Sequence, residues 1–273
     1  MKGLLWVVPT LVWMGCAQRE EATPPASDGA AGMPIAVTTH TDAGAPIVAV
    51  ASASGAREAS ARITAAERTV LVGHVENARD LGGIALPSGM RVADALLFRG
   101  PPLAELTEAG CAAVSELGLR TVIDLRVDSE VSLRPDDSCA LAGAQLWAAP
   151  LPIPYNVSAL DYIEVLDTNE SIAAVFERLG DTAHFPVYFH CTWGRDRTGI
   201  LAAVVLLALG ATPEAIMEDY LLSSETVGAY PASLQAALDE IMRRGGIDAY
   251  LAAAGVSETQ LAAFRSYAIR QTP

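Results

Sequence analysis

Nine consecutive residues, His190-Cys191-Thr192-Trp193-Gly194-Arg195-Asp196-Arg197-Thr198, bring together a thiol, a carboxylate, two guanidinium groups and two hydroxyls. A glycine among them lets the chain curl tightly. In such a curl successive backbone N–H groups can point inward as an anion nest. A helix starting at its far end adds unpaired N–H donors and a partial positive charge. Cys191 at the rim of that nest is expected to ionise readily, because amide dipoles and guanidinium groups stabilise a thiolate. The thiolate is the form that attacks phosphorus. Arg197, six positions on, offers a planar fork that matches two phosphoryl oxygens. Thr192, Trp193, Gly194, Arg195 and Thr198 are candidate contacts to a bound phosphate or its substituent. Asp196, the one carboxylate of the loop, suits a proton donor to a leaving oxygen and then a base for water. The alternative for Asp196 is a helix-start charge that complements the dipole. Arg195 is either a second phosphate contact or a solvated surface charge. His190 is expected to orient the loop and tune the thiol.

Positioning this loop requires a strand before it and a helix after it. Residues 186–190 read as a buried strand, and residues 199–209 are almost wholly apolar but too short to span a bilayer, so a central buried helix is expected. Residues 121–125 form another β-branched run. Further strands are expected at 69–72 and 95–98, and helices at 103–117, 160–179, 213–222, 232–243 and 258–270. Thr212 caps the helix that Pro213 opens. Strands alternating with helices predict a single α/β domain over residues 63–273, with a mainly parallel central sheet flanked by helices. Arg79 with Asp80, and Asp124 with Arg126, are expected to be polar pairs that support the loop.

The string His190-Cys191, five residues, Arg197-Thr198 resembles the signature of the cysteine-dependent protein tyrosine phosphatase superfamily. More narrowly, residues 190–199 resemble the bacterial tyrosine/lipid phosphatases. Asn77-Ala78-Arg79-Asp80-Leu81-Gly82-Gly83, Leu97-Phe98-Arg99-Gly100, residues 117–126 and Asp219-Tyr220-Leu221-Leu222 follow in that family's order. The resemblance covers roughly residues 70–270. It implies a tyrosine phosphatase-like fold, Cys191 as nucleophile, Arg197 as phosphate binder and Asp196 as a general acid carried inside the loop, with no cofactor and no metal. It implies phosphotyrosine as substrate, with phosphoserine, phosphothreonine and phosphoinositides also in range. Two departures stand out: Arg195 where the family has lysine, and Ala78 where it has an aromatic residue. The rival readings are an inositol polyphosphate or other small-molecule phosphatase on the same scaffold, and a catalytically weak phosphate-binding module.

The formal net charge of −14 argues against non-specific nucleic-acid binding and against docking on anionic lipid through a basic patch. An anionic substrate must then be drawn by local donors against the overall field. Cys16, Cys111, Cys139 and Cys191 match no zinc spacing and are too few for a disulfide scaffold; an exported protein could pair Cys111 with Cys139. Export is the reading of the N-terminus. Lys2 and the apolar run to Met14 have signal-peptide form over residues 1–15, and Trp13-Met14-Gly15-Cys16 resembles a lipoprotein cleavage box, with Cys16 as the lipidated residue. Ordinary secretion and a coincidental apolar start are the alternatives. Residues 16–62, rich in Ala, Ser, Thr, Gly and Pro, read as a flexible tether. A cell-envelope location with a lipid anchor as the sole membrane contact follows from that reading.

Overall fold

The computed structural model of the chain describes residues 75–154 and 157–272. The export segment, Cys16, the tether and the strand expected at 69–72 lie outside the described residues. The five-stranded sheet contains β1 (Arg79–Asp80), β4 (Leu97–Gly100), β5 (Thr121–Asp124), β6 (Gln145–Ala148) and β7 (Val187–His190). Their spatial order is β1-β4-β7-β5-β6. β4, β7, β5 and β6 run parallel, and β1 closes one edge antiparallel to β4.

The central strands are short apolar runs because both faces of the sheet are covered. Alternate residues of β7 divide accordingly: Val187 and Phe189 enter the larger core cluster, while Tyr188 enters a smaller one with Ala78, Phe98, Val114 and Val122. The smaller cluster lies under α1 (Glu108–Glu116), whose Val114 it includes. The larger one is built around α5 (Asp196–Ala208). Nearly every residue of α5 is buried, which explains an apolar sequence without helical periodicity. No helix among the described residues is long and apolar enough to cross a membrane.

Three expectations are corrected. The helix expected at 103–117 starts at Glu108, because Thr107 Oγ1 accepts the Gly110 N–H and Glu105 sits at φ 60°, a left-handed conformation no helix tolerates. The helix expected at 160–179 is two, α3 (Ala159–Val165) and α4 (Asn169–Leu179). Thr168 Oγ1 donates to the Val165 carbonyl at 2.6 Å and ends the first. The last helix, α9 (Glu258–Ala268), stops short of residue 270 because β8 (Ile269–Gln271) pairs with β3 (Met90–Val92), which also pairs with β2 (Ala85–Leu86). Beyond these, β6, the short helix α2 (Asp128–Leu133) and α8 (Ile247–Ala253) were not expected. The helices α6 (Pro213–Leu221) and α7 (Pro231–Arg243) lie within a residue of their expected bounds.

Register fixes the location of the chemistry. Gly100 and Asp124 both stand opposite His190, so β4, β7 and β5 end level with one another. The loop after His190 therefore opens at the carboxyl edge of the parallel strands, the edge where open α/β sheets bind ligands.

Candidate active site

The loop is shaped by what grips its carbonyls. Asn77 Nδ2 donates to the Trp193 carbonyl at 2.9 Å, and Arg99 Nη2 donates to the Gly194 carbonyl at 2.8 Å. In a planar trans peptide the next N–H points opposite to the carbonyl. Drawing these two oxygens outward thus turns the N–H groups of Gly194 and Arg195 the other way. Gly194 sits at φ 65°, and a Cβ there would stand 2.6 Å from Pro101 N, so a side chain at this corner is barred by conformation and by space.

Beneath the loop lies a buried charge cluster in which two arginines meet Asp219. Arg79 donates to Asp219 Oδ1 at 2.9 Å and to Asn77 Oδ1 at 2.7 Å, and Arg99 donates to Asp219 Oδ2 at 2.7 Å. Two guanidinium groups thus share one carboxylate. Burial and the Arg79 charge bring Arg99 down to about 10, still cationic at neutral pH. The expected pairing of Arg79 with Asp80 is corrected: neighbours on a strand face opposite ways. Asp80 instead accepts the N–H groups of Gly82 and Ala95 and braces the turn between β1 and β4.

Cys191 is buried at the foot of the loop. Arg197 stands beside it. Its Nη1 and Nη2 meet Glu130 Oε2 and Oε1 at 2.5 and 2.6 Å, and Nη2 also reaches Thr192 Oγ1 at 3.1 Å. Thr192 donates to Glu130 Oε1 at 2.6 Å. Burial disfavours the Arg197 charge, but Glu130 and the Cys191 sulfur outweigh it and leave the guanidinium above the ordinary arginine value. In turn Arg197 holds the Glu130 carboxyl down at about 2. The buried Nε of Arg197 and Oγ1 of Thr198 have no hydrogen-bond partner among the described residues. Both groups belong to the loop and its helix, and a bound anion is one partner that would satisfy them.

Asp196 is a bound acceptor. Tyr162 donates to its Oδ1 at 2.7 Å, and Arg195 Nε and Nη2 reach Oδ1 and Oδ2 at 3.0 Å each. Arg195 also donates to the Val227 carbonyl at 2.6 Å and lies over the Tyr230 ring at 4.3 Å. It is not a solvated surface charge: its side chain is largely covered by these three partners. Trp193 is exposed on the rim. A cleft of about 180 Å³ runs from Trp193 over Asp196 and Arg197 to Ile153, Pro154 and Val157.

His190 is fully buried beside a second polar cluster. Its Nε2 lies 3.3 Å from Asp136 Oδ2 and its Nδ1 3.8 Å from Asp124 Oδ1. Arg126 binds Asp124 through Nε and Nη2, and Asp136 through Nη2 at 3.0 Å. Asp124, Asp136 and His190 are close enough to hold a cation, but the Arg126 guanidinium already occupies both carboxylates. Burial pushes the Asp136 carboxyl up; His190 and Arg126 more than offset this and leave it below the usual range. Asp136 belongs to the segment that the Cys111–Cys139 disulfide ties to α1.

Glu130, Asp136, Arg99, Asp219, Tyr162 and Tyr220 take part in this site without having been singled out as site residues in the sequence. A charged residue inside an apolar strand, as at Arg99, and one on the inner stripe of an amphipathic helix, as at Asp219, are the available signals. Glu130 and Tyr162 carry none, while Tyr220 lies in the Asp219-Tyr220-Leu221-Leu222 stretch that follows the family's order.

A parallel strand, an amide-lined loop with a buried thiol and a forked cation, and a helix N-terminus define the class of cysteine-bearing oxyanion sites on α/β sheets. The chain belongs to the Tyrosine phosphatase family, whose model matches residues 70–269. A Cupriavidus necator protein provisionally named a tyrosine-protein phosphatase is 31% identical over 174 residues, 55% of this chain and 61% of that one. The triple specificity protein phosphatase PtpB of Mycobacterium tuberculosis is 26% identical over 193 residues, 54% of this chain and 66% of that one. The chain thus spans just under two thirds of the length of these two relatives. Among solved structures, P. aeruginosa TpbA is similar at 20% identity, with 61% of this chain and 91% of that chain covered and a TM-score of 0.36.

Proposed function

We propose that the protein hydrolyses phosphate monoesters, phosphotyrosine in protein above all, through a cysteinyl-phosphate. The observation that carries this reading is Cys191 seated beside Arg197 under a loop whose Trp193 and Gly194 carbonyls are pinned outward. The inward amides and the Arg197 Nε hold the phosphoryl oxygens. The Cys191 thiolate attacks phosphorus, the P–O ester bond breaks, and protonated Asp196 gives its proton to the leaving oxygen. Water then attacks phosphorus, its proton passes to the Asp196 carboxylate, and the S–P bond breaks to release inorganic phosphate and the thiolate.

Two features favour an aryl phosphate over a polyphosphorylated ring. Arg195 lines the cleft, but its charge is already balanced by Asp196, which weakens its pull on a neighbouring phosphate. The cleft wall of Ile153, Pro154 and Val157 facing Trp193 suits an aromatic ring. Export, with Cys16 as a lipid anchor, belongs to the same reading. The Cys111–Cys139 disulfide supports it, because such bonds persist in oxidising compartments. Aryl-phosphate turnover in the parent and in Cys191→Ser, Arg197→Lys and Asp196→Asn tests the chemistry. Loss in the first and a fall of roughly 100-fold or more in the other two are expected; turnover retained by Cys191→Ser overturns the mechanism.

A further inference from the structure

Asp196 is reached by a hydrogen-bond chain whose direction is fixed at its far end. The Tyr230 backbone N–H can only donate, and it meets Tyr220 Oη at 3.1 Å. The Tyr220 hydroxyl hydrogen is thereby turned away from Tyr230. Its other partner is Tyr162 Oη, at 2.6 Å, so Tyr220 donates there. Tyr162 must then send its own hydrogen onward, to Asp196 Oδ1 at 2.7 Å. Each hydroxyl accepts once and donates once, and the carboxylate closes the chain as pure acceptor. A proton on Oδ1 pointing at Tyr162 would reverse the chain, so that Tyr220 Oη accepts from both Tyr162 and Tyr230 and its own hydrogen is left without an acceptor in the chain.

We propose that Tyr162, with its hydroxyl set as a donor by Tyr220, is a positioning residue for Asp196: it engages Oδ1 as an acceptor and so fixes which oxygen is free to carry the proton. The inference deepens the proposed phosphatase reading and rests on it for the role of Asp196. The chain places the exchangeable proton on Oδ2, which is bonded to Arg195 alone among the contacts of this carboxylate. Charged and titratable groups around Asp196 are Arg195 beside it, Tyr162 on α3, Tyr220 on α6, and, across the cleft, Glu130 paired with Arg197 in front of Cys191. Burial first, and then the nearby acidic groups, raise Tyr162 far above the usual phenol range, and burial raises Tyr220 as well. Both are therefore neutral donors at neutral pH.

The test is the pH dependence of kcat/KM on phosphotyrosine peptide, which needs leaving-group protonation. In Tyr162→Phe the carboxylate loses one donor and Oδ1 is no longer reserved as an acceptor. The alkaline limb is expected to move up by about one pH unit, the scale of a hydrogen bond to a charged group. In Tyr220→Phe the Tyr162 hydroxyl survives but is no longer set as donor, so a smaller upward shift is expected. A limb that does not move in either variant, with rate or stability lowered uniformly, overturns the proposal. If Tyr162→Phe does not fold, Tyr220→Phe carries the same test. NMR titration of the carbon-13-labelled Asp196 carboxyl in the resting enzyme gives a readout without turnover. An unchanged carboxyl pKa in the variants sinks the relay even if the enzyme is active, and a raised one upholds it even if Cys191→Ser shows that the catalytic mechanism is wrong.

Discussion

Glu130 shows how one side chain can set the behaviour of the site without being visible beforehand. It takes both terminal nitrogens of Arg197 and leaves Nε for a ligand. The Arg197 guanidinium holds its carboxyl at about 2 against an ordinary value of 4.5. A carboxyl depressed on folding stabilises the native state above its unfolded pKa and loses that contribution as pH falls through the folded one. The parent should therefore lose stability between about pH 4.5 and 2, and Glu130→Gln should lose less over that window. Thermal unfolding across the acid range measures this; identical slopes would refute it. Arg195 belongs to the same scale. Its fork fits the Asp196 carboxylate and the Tyr230 ring together, which a lysine ammonium cannot do. In Arg195→Lys the cation is released toward the cleft. Turnover of a phosphoinositide relative to phosphotyrosine peptide should rise by about tenfold, the worth of one charge-assisted contact. The loop itself was legible because strand, curl and helix are contiguous, so thiol, carboxylate and arginine sit within nine positions. The partners were not, since Arg79 and Asp219 lie 140 residues apart and Tyr162 and Asp196 34 apart.

Among the elements, those the sequence announced are those whose two faces differ or whose interior is uniformly apolar: β5, β7, α5 and α7. Those it concealed are set by local side-chain-to-backbone bonds. Thr107 and Thr168 each divert a helix boundary with one hydroxyl, and nothing in apolar periodicity distinguishes such a threonine from a neutral one. β6 was hidden for another reason: it is a sheet edge with mostly exposed residues, so it lacks the buried run that marks its neighbours. The union of β1, β4 and α6 through Arg79, Arg99 and Asp219 is the junction on which the loop rests. Asp219→Asn leaves two buried guanidinium groups without their carboxylate and should cost about 3–5 kcal/mol, read as a lowered denaturant midpoint. The Gly194 carbonyl would lose its fixed Arg99 donor as well, so activity should fall further than stability alone accounts for.

For the molecule as a whole, the mainly parallel sheet was legible from the alternation of strands and helices, while the Cys111–Cys139 pair could be named only as one an exported protein could form, because pairing depends on geometry that spacing does not carry. The bond joins residues 28 apart and pins the segment that delivers Asp136 to His190 and Arg126. Opening it with Cys111→Ser should cost about 3–4 kcal/mol by the loop-entropy estimate. The same change should lower kcat through the loosened His190 cluster, and a double variant of both cysteines should behave like the single one. Unchanged thermal unfolding would show that the clasp is incidental.

Closure of that clasp also leaves Cys191 as the free cysteine of the described residues. A peroxide that reached this sulfur would convert it to a sulfenic acid, and among the described residues no other thiol is free to condense with it into a protective internal bridge. Recovery from such damage would then depend on a reductant supplied from the surroundings, and the enzyme would lapse into irreversible overoxidation wherever that supply failed.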